Sequence, residues 1–256
     1  MSTFDAIVPA GGTIDGPFAE QAGTQVKALI TFNGSTILET VLKALRESGK
    51  IRNIVVIGSP EVRAVATNFA AVGLEPGETG PDNIFRGLDH LKKLDPNLDK
   101  ALIVTCDLPF ISGETITKYV ELCPLDKDIC VPVIEEADFH RAYPGTSSTF
   151  VKTKDGTFTI GGMFMMNGRK LNELRTSIER VFAKRKSKLG MAMLIGPAFV
   201  MKYITKSLTL YDVEKKIESM LNCSGRAVRN APVELAYDID DLEDFSYALT
   251  LVEKKD

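Results

Sequence analysis

Three stretches of this 256-residue chain are apolar almost without interruption and rich in β-branched residues: "NIVVIG" (53–58), "ALIVTCD" (101–107) and "DICVPVI" (128–134). A strand reads this way when both of its faces are covered, as in a parallel sheet packed between helices. Between these runs the apolar period changes to that of a helix. "STILETVLKALRESG" (35–49) has apolar residues at 37, 38, 41, 42 and 45, with Thr36 and Glu39 forming a capping box and Gly49 as a stop. "PEVRAVATNFA" (60–70), "GPDNIFRGLDHLKKL" (80–94) and "GETITKYVELC" (113–123) are further helices, the first two opening on Pro60 and Pro81. "AIV" (6–8) and "VGLEP" (72–76) add short strands. The alternation predicts a three-layer α/β/α, Rossmann-like architecture with a mostly parallel central sheet and right-handed crossovers.

The second half is less regular. "STFVKTKDGTFTIGGMFMM" (148–166) predicts a hairpin turning at Asp155-Gly156 and then another strand. Helices follow at 169–185, with a stripe of Leu171, Leu174, Ile178 and Val181, at 191–204, broken at Gly196-Pro197, and at 208–221. "ELAYDIDDLEDFSYALTLVE" (234–253) reads as a short strand leading into a helix. With no repeat and no Pro, Gly or Ser-rich linker, residues 1–256 are expected to form a single domain with a helical insertion at about 167–224. The net charge of −3 provides no global basic field for nucleic acid. The longest apolar run, 189–201, is shorter than the ~20 residues of a membrane-spanning helix, and "MSTFD" lacks the regions of a signal peptide. Four scattered cysteines without a CxxC pair suit reduced thiols in a cytoplasmic protein. Two histidines leave little for a Ser-His-Asp or Cys-His mechanism.

In an open parallel sheet, ligands bind beyond the carboxyl ends of strands. Three segments fall at such ends. Ala10, Gly11 and Gly12 follow the first strand, where glycines let backbone N–H groups approach a phosphate, although an ordinary turn uses the same residues. The spacing fits neither GxGxxG nor a P-loop. Asp107 directly follows "ALIVTC" and is suited either to Mg²⁺ or to opening the turn that Pro109 completes. Asp240 belongs to "DDLE", which helix capping alone would explain. Asn83 lies at the start of the 80–94 helix, where initiation also accounts for its residue type, and Cys106 reads as core packing.

Taken together, "AIVPAGG…VKAL…FNGSTILETVLKAL", "LIVTCDLPFIS" and "AYDIDDLEDF" resemble the MobA-like nucleotidyltransferases, which share a fold of the GT-A type with molybdenum-cofactor guanylyltransferases and with cytidylyltransferases. The resemblance covers both ends of the chain and its middle strand, and 167–224 only loosely. It implies transfer of an NMP unit from an NTP to a small phosphate- or hydroxyl-bearing acceptor, with Mg²⁺ and release of pyrophosphate. Ala10, Gly11, Gly12, Lys27 and Asn83 would then meet the nucleotide, Lys27 and Asp107 would be catalytic, and Asp107 with Asp240 would hold the metal. The family loop carries an arginine shortly after its glycines; here no basic residue precedes Lys27, and Asp15 and Glu20 lie between.

That departure keeps open a catalytically weakened nucleotide-binding regulator. A GT-A-type glycosyltransferase is the other alternative. Such enzymes carry DxD at the middle strand, whereas here that strand ends in Asp107-Leu108-Pro109 and the DxD Asp238-Ile239-Asp240 is near the C-terminus. In the 167–224 region, Lys184-Arg185-Lys186 precedes the apolar run Met191–Met201. The pairing suits an acceptor with an anionic head and apolar body, or a homodimer interface that buries Phe199 and its neighbouring methionines against a helix or subunit.

Overall fold

A computed structural model of the protein describes residues 3–184 and 187–253. Arg185 and Lys186 of the basic stretch lie outside the described residues, as does the side chain of Leu171. The elements run β1 (Phe4–Ala10), α1 (Gly16–Ala22), β2 (Thr31–Phe32), β3 (Ser35–Thr36), α2 (Ile37–Glu47), β4 (Ile51–Gly58), α3 (Pro60–Asn68), β5 (Val72–Leu74), α4 (Gly80–Leu94) and β6 (Lys100–Val104). Then follow α5 (Gly113–Leu122), β7 (Ile129–Glu135), α6 (Glu136–Ala142), β8 (Val151–Thr153), β9 (Gly156–Ile160) and β10 (Met163–Asn167). The chain closes with α7 (Gly168–Lys184), α8 (Lys188–Ile195), α9 (Pro197–Ile204), α10 (Leu210–Leu221), β11 (Gly225–Val228) and α11 (Leu242–Glu253).

The main sheet has the order β5-β4-β1-β6-β10-β7-β9-β8, with β11 also paired to β7. Strands β5, β4, β1 and β6 are mutually parallel, with β4, β1 and β6 buried on both faces along much of their length and β5 at the more exposed edge, while β10 runs antiparallel between β6 and β7. Successive residues of β1 point to opposite faces. Ala6 and Val8 pack with Leu38, Val41 and Leu42 of α2 and Ile116 of α5. Ile7 packs with Phe85 and Leu88 of α4 on the other face. The mostly parallel three-layer architecture expected from the sequence is what forms. The capping box of Thr36 and Glu39 is present at α2.

Four local features differ from the sequence expectation. The loop after Gly12 contains α1, entered at Gly16 (φ 54°) and closed at Gly23 (φ 67°), positions where a positive φ favours glycine. Glu136–Ala142 forms α6, and "GRAV" forms β11 despite the polar Arg226. Val233–Ala236 is a turn of 3-10 helix rather than a strand, held by the Leu235 N–H to the Pro232 carbonyl at 3.2 Å.

Gly87 sets how closely α4 approaches the sheet: a Cβ there would lie 2.6 Å from Ile7 Cγ2 and 3.1 Å from Ile57 Cδ1. Gly87→Val should therefore cost about 1–3 kcal/mol of overpacking, more than the gain of under ~1 kcal/mol in helix propensity over glycine. The urea midpoint should fall accordingly, and an unchanged midpoint would mean that α4 can slide without loss.

Candidate active site

Strand β1 ends at the buried Ala10, and the chain must then turn away over the edge of α4. A Cβ on Gly11 would fall 2.9 Å from Asn83 Nδ2, so a side chain has no room there. Asn83 is buried, and its Oδ1 accepts a hydrogen bond from the Gly77 N–H at 2.6 Å. It thereby joins the Gly11 turn to the segment before α4. The next residues make a closed ear: Thr13 bridges Val26, the Ile14 N–H donates to the Gln25 carbonyl, and the Lys27 N–H donates to the Gly12 carbonyl at 3.0 Å. This closure explains the fifteen-residue gap between Gly12 and Lys27, because α1 fills the ear and the chain returns to its starting point.

The Lys27 ammonium lies 2.7 Å from Asp107 Oδ2 and 2.6 Å from Asp240 Oδ1. Its side chain is 14% exposed, so it is not the solvated lysine that its residue type alone would suggest. Burial by itself pulls its pKa down, but the charges and hydrogen bonds of Asp107 and Asp240 outweigh that and hold it above the ordinary lysine value. The expectation that Asp107 and Asp240 meet across the sheet mouth holds despite their distance in sequence. The meeting is organised by the Ile239 N–H, which donates to the Asp107 carbonyl at 3.1 Å. Ile239 is fully buried, and the residues on either side of it turn outward.

Asp238 thereby joins the group. One carboxylate oxygen from each of Asp107, Asp238 and Asp240 lies within 4.8 Å of the others. Sequence reading missed Asp238, although the alternation of an extended DxD segment places its two aspartates on one side. Asp240 is also not the cap of α11: Asp241 Oδ1 accepts from the Glu243 and Asp244 N–H groups, and Asp244 Oδ2 accepts from Asp240 and Asp241.

Charges about 5 Å apart repel by roughly 3 kcal/mol at an effective dielectric near 20, and by less where water reaches them. Three carboxylates beside one ammonium leave negative charge uncompensated. The protein around Asp238, then the charges of Asp107 and Asp240, raise its pKa from 3.8 to about 7. Among the described residues, Asp107 Oδ1 is buried without a hydrogen-bond partner, as is the Thr105 hydroxyl. This differs sharply from Asp5 at the opposite end of β1. Both Asp5 oxygens are satisfied there, by Arg52 Nε and Nη2 and by the Asn53 backbone and side-chain N–H groups. Oxygen donors, surplus negative charge and an unpaired buried oxygen fit a small hard cation.

Cys106 is buried beside Asp107, and burial followed by the Asp107 charge pushes its thiol up to about 12, so it is not a nucleophile at neutral pH. Gly161 and Gly162 form the floor beneath Asp107. A Cβ on Gly162 would lie 2.4 Å from Thr105 Oγ1, and one on Gly161 would lie 2.7 Å from the Leu235 carbonyl oxygen. Between Ile160 opposite Val133 and Met165 opposite Cys130 the register slips by two residues, and the glycine pair absorbs the slip.

A sheet of parallel strands carrying a glycine turn, a lysine and clustered aspartates at its carboxyl edge defines an α/β fold of the nucleotidyltransferase type. Residues 6–191 match the model of the MobA-like NTP transferase domain, and the chain belongs to that family. Asp238 and Asp240 lie beyond the matched segment. A probable molybdenum cofactor guanylyltransferase from Bacillus cereus (strain ATCC 10987 / NRS 248) is 28% identical over 140 residues. The match covers 52% of this chain and 64% of that relative's length. A solved hypothetical transferase from Thermus thermophilus is 27% identical with a TM-score of 0.82, covering 94% of this chain and 99% of its own. A CMP:2-keto-3-deoxy-manno-octonic acid synthetase complexed with CTP shares the fold, with a TM-score of 0.60 and 11% identity over 99% of this chain and 100% of its own.

The raised Asp238 pKa has a defined consequence for stability. A carboxyl held protonated in the fold destabilises it once the pH exceeds its unfolded value. The penalty therefore develops between pH 3.8 and about 7 and stays above that. Asp238→Asn, melted in the presence of EDTA, should match the parent near pH 4. It should become more stable by about 1 kcal/mol above pH 7, a figure discounted for solvent screening of an exposed carboxyl. Melting curves that stay parallel across this range would remove the carboxylate cluster as their cause.

Proposed function

We propose that the protein is a Mg²⁺-dependent nucleotidyltransferase. It would move an NMP unit from an NTP to a small phosphate- or hydroxyl-bearing acceptor and release pyrophosphate. The observation that carries this reading is the Lys27 ammonium held between Asp107 and Asp240, beside the Gly11-Gly12 turn. Displacement at phosphorus depends on alignment and charge neutralisation more than on a proton-transfer residue, which suits a site without histidine. Backbone N–H groups of Gly11 and Gly12 receive phosphate oxygens, since neither residue has a side chain to block a close approach. Lys27 neutralises charge on the departing pyrophosphate as the bond between the α-phosphorus and the bridging oxygen breaks and the acceptor oxygen bonds to phosphorus. Asn83 acts at one remove by keeping the Gly11 turn in place, and Ala10 ends the strand under it.

Asp107, Asp240 and Asp238 would hold Mg²⁺, which when bound neutralises phosphate charge and orients the phosphate oxygens. The relative named as a guanylyltransferase and the neighbour complexed with CTP support the choice of an NTP as donor. Cytoplasmic residence and the single-domain organisation belong to the same reading. Among the described residues no helix is long and apolar enough to cross a membrane.

The presence of the DxD segment in the cluster keeps the glycosyltransferase alternative specific enough to test. Thermal-shift measurements with each NTP and with nucleotide sugars, with and without Mg²⁺, separate the two. One NTP at about a hundredfold over its Kd should add roughly 2.7 kcal/mol, or about 5–10 °C, only when Mg²⁺ is present. Asp107→Asn should lose the Mg²⁺-dependent part. A response confined to nucleotide sugars would overturn the reading.

The rate gives a second check. With an acceptor found by screening for pyrophosphate release, Lys27→Met should lower kcat by about 10²–10³-fold, the scale of losing one preorganised charge contact. NTP binding without pyrophosphate release from any acceptor would favour the regulator instead.

A further inference from the structure

The apolar run between β10 and β11 was expected to be buried against another helix or a second subunit, and within the chain it is largely uncovered. Met193 is 73% exposed and Met201 59%, and Phe199 is only half-buried, so no helix of the described chain covers the run. Leu189, Tyr203, Ile204 and Tyr211 are exposed as well. All six residues from Met201 to Lys206, "MKYITK", face solvent at the end of α9 and in the turn after it. Large apolar side chains concentrated in this way on an otherwise polar surface mark an interaction face.

The charge around this face narrows the kind of partner it suits. From Arg180 to Tyr211 the sequence has seven basic residues and no acidic one, in a chain whose net charge is −3. Arg180, Lys184, Lys202 and Lys206 are exposed. Lys202 pairs with Asp212 at 2.6 Å, just beyond this segment, and is the one of these four with a carboxylate partner among the described residues. A two-fold dimer through the face would set the same cations against themselves, because an isologous contact pairs a patch with its own copy. A nucleic-acid backbone would match the charge but give exposed Leu, Met and Ile side chains nothing to bury against.

We propose that α8, α9 and the turn after them form a docking face for an anionic lipid surface. Leu189, Met193, Met201 and Ile204 would enter the headgroup boundary, Tyr203 and Tyr211 would sit at its polar edge, and the lysines would meet anionic headgroups. Short helices of this kind lie on a bilayer rather than cross it. The face is independent of how the carboxylate site acts.

The test is co-sedimentation of the full chain with vesicles of phosphatidylcholine alone, or mixed one to one with phosphatidylglycerol. Binding to the anionic vesicles should be at least about tenfold stronger, since each engaged cation contributes roughly fivefold, and high salt should weaken it. Ile204→Glu and Lys206→Glu should each lower it, with melting temperatures close to the parent because both positions are exposed. Leu94→Glu, at an exposed apolar position elsewhere (55%), should retain binding. Absence of binding, equal binding to neutral vesicles, or unchanged binding by the Ile204 and Lys206 variants would overturn the proposal. Light scattering that shows a dimer split by Ile204→Glu would equally overturn it, making the face a subunit contact.

Discussion

The carboxylate of Asp107 is the constraint on which the carboxyl edge of the sheet depends. Its strand, β6, is buried on both faces, so the chain leaves the interior with a charged group that water reaches only partly. One oxygen meets the Lys27 ammonium and the other has no partner among the described residues. An ionised group so placed is tolerated only if compensating charge is held close. The ear containing α1 exists to return Lys27 to Gly12, and the Ile239-to-Asp107 backbone contact draws in the last segment before α11. Lys27 lies 80 residues from Asp107 in sequence, and its ammonium is 2.7 Å from the carboxylate in space.

The other end of β1 indicates what such a strand end looks like when only stability is at stake. Asp5 is fully buried, yet Arg52 grips both of its oxygens and Asn53 adds two more donors. A bidentate guanidinium with extra N–H groups is the geometry in which a buried carboxylate is compensated. The chain therefore has the means to satisfy an aspartate at a strand end, and it does not do so at Asp107.

Much of this was legible in the sequence because it follows from local physics. Uninterrupted β-branched runs mark doubly buried strands, and the Thr36–Glu39 pair, Pro60, Pro81 and Gly49 mark helix ends. The parts that were not legible depend on tertiary partners. Helix α1 has no buried residue and no side-chain cap, so no apolar period announces it, although Pro17 and Gly23 stand at its ends. Strand β11 carries Arg226 in its centre and is defined by pairing with β7. Asp240 looked like a cap because Asp241 and Asp244, which do the capping, sit beside it. Asp238 was overlooked since its role depends on where Ile239 is buried.

The same comparison bears on why the site is arranged at some loss of stability. The surroundings of Asp238 disfavour its charged form on balance, since the protein around it and the two nearby carboxylates raise its pKa and Lys27 offsets only part of that. Replacing it by a neutral residue would relax the cluster, and Lys27 alone cannot balance three negative charges. Stabilising substitutions are readily available at natural protein sites, and where one is left unused at a cleft, function is the usual reason. The glycines support this view: Gly11, Gly161 and Gly162 occupy positions where a Cβ would strike Asn83, Leu235 or Thr105. They keep the floor and the rim of the site at backbone distance, with no side chain of their own beside the carboxylate cluster. Carboxylates fixed this close together repel one another, so a cation held among Asp107, Asp238 and Asp240 would stabilise the fold as well as occupy the site.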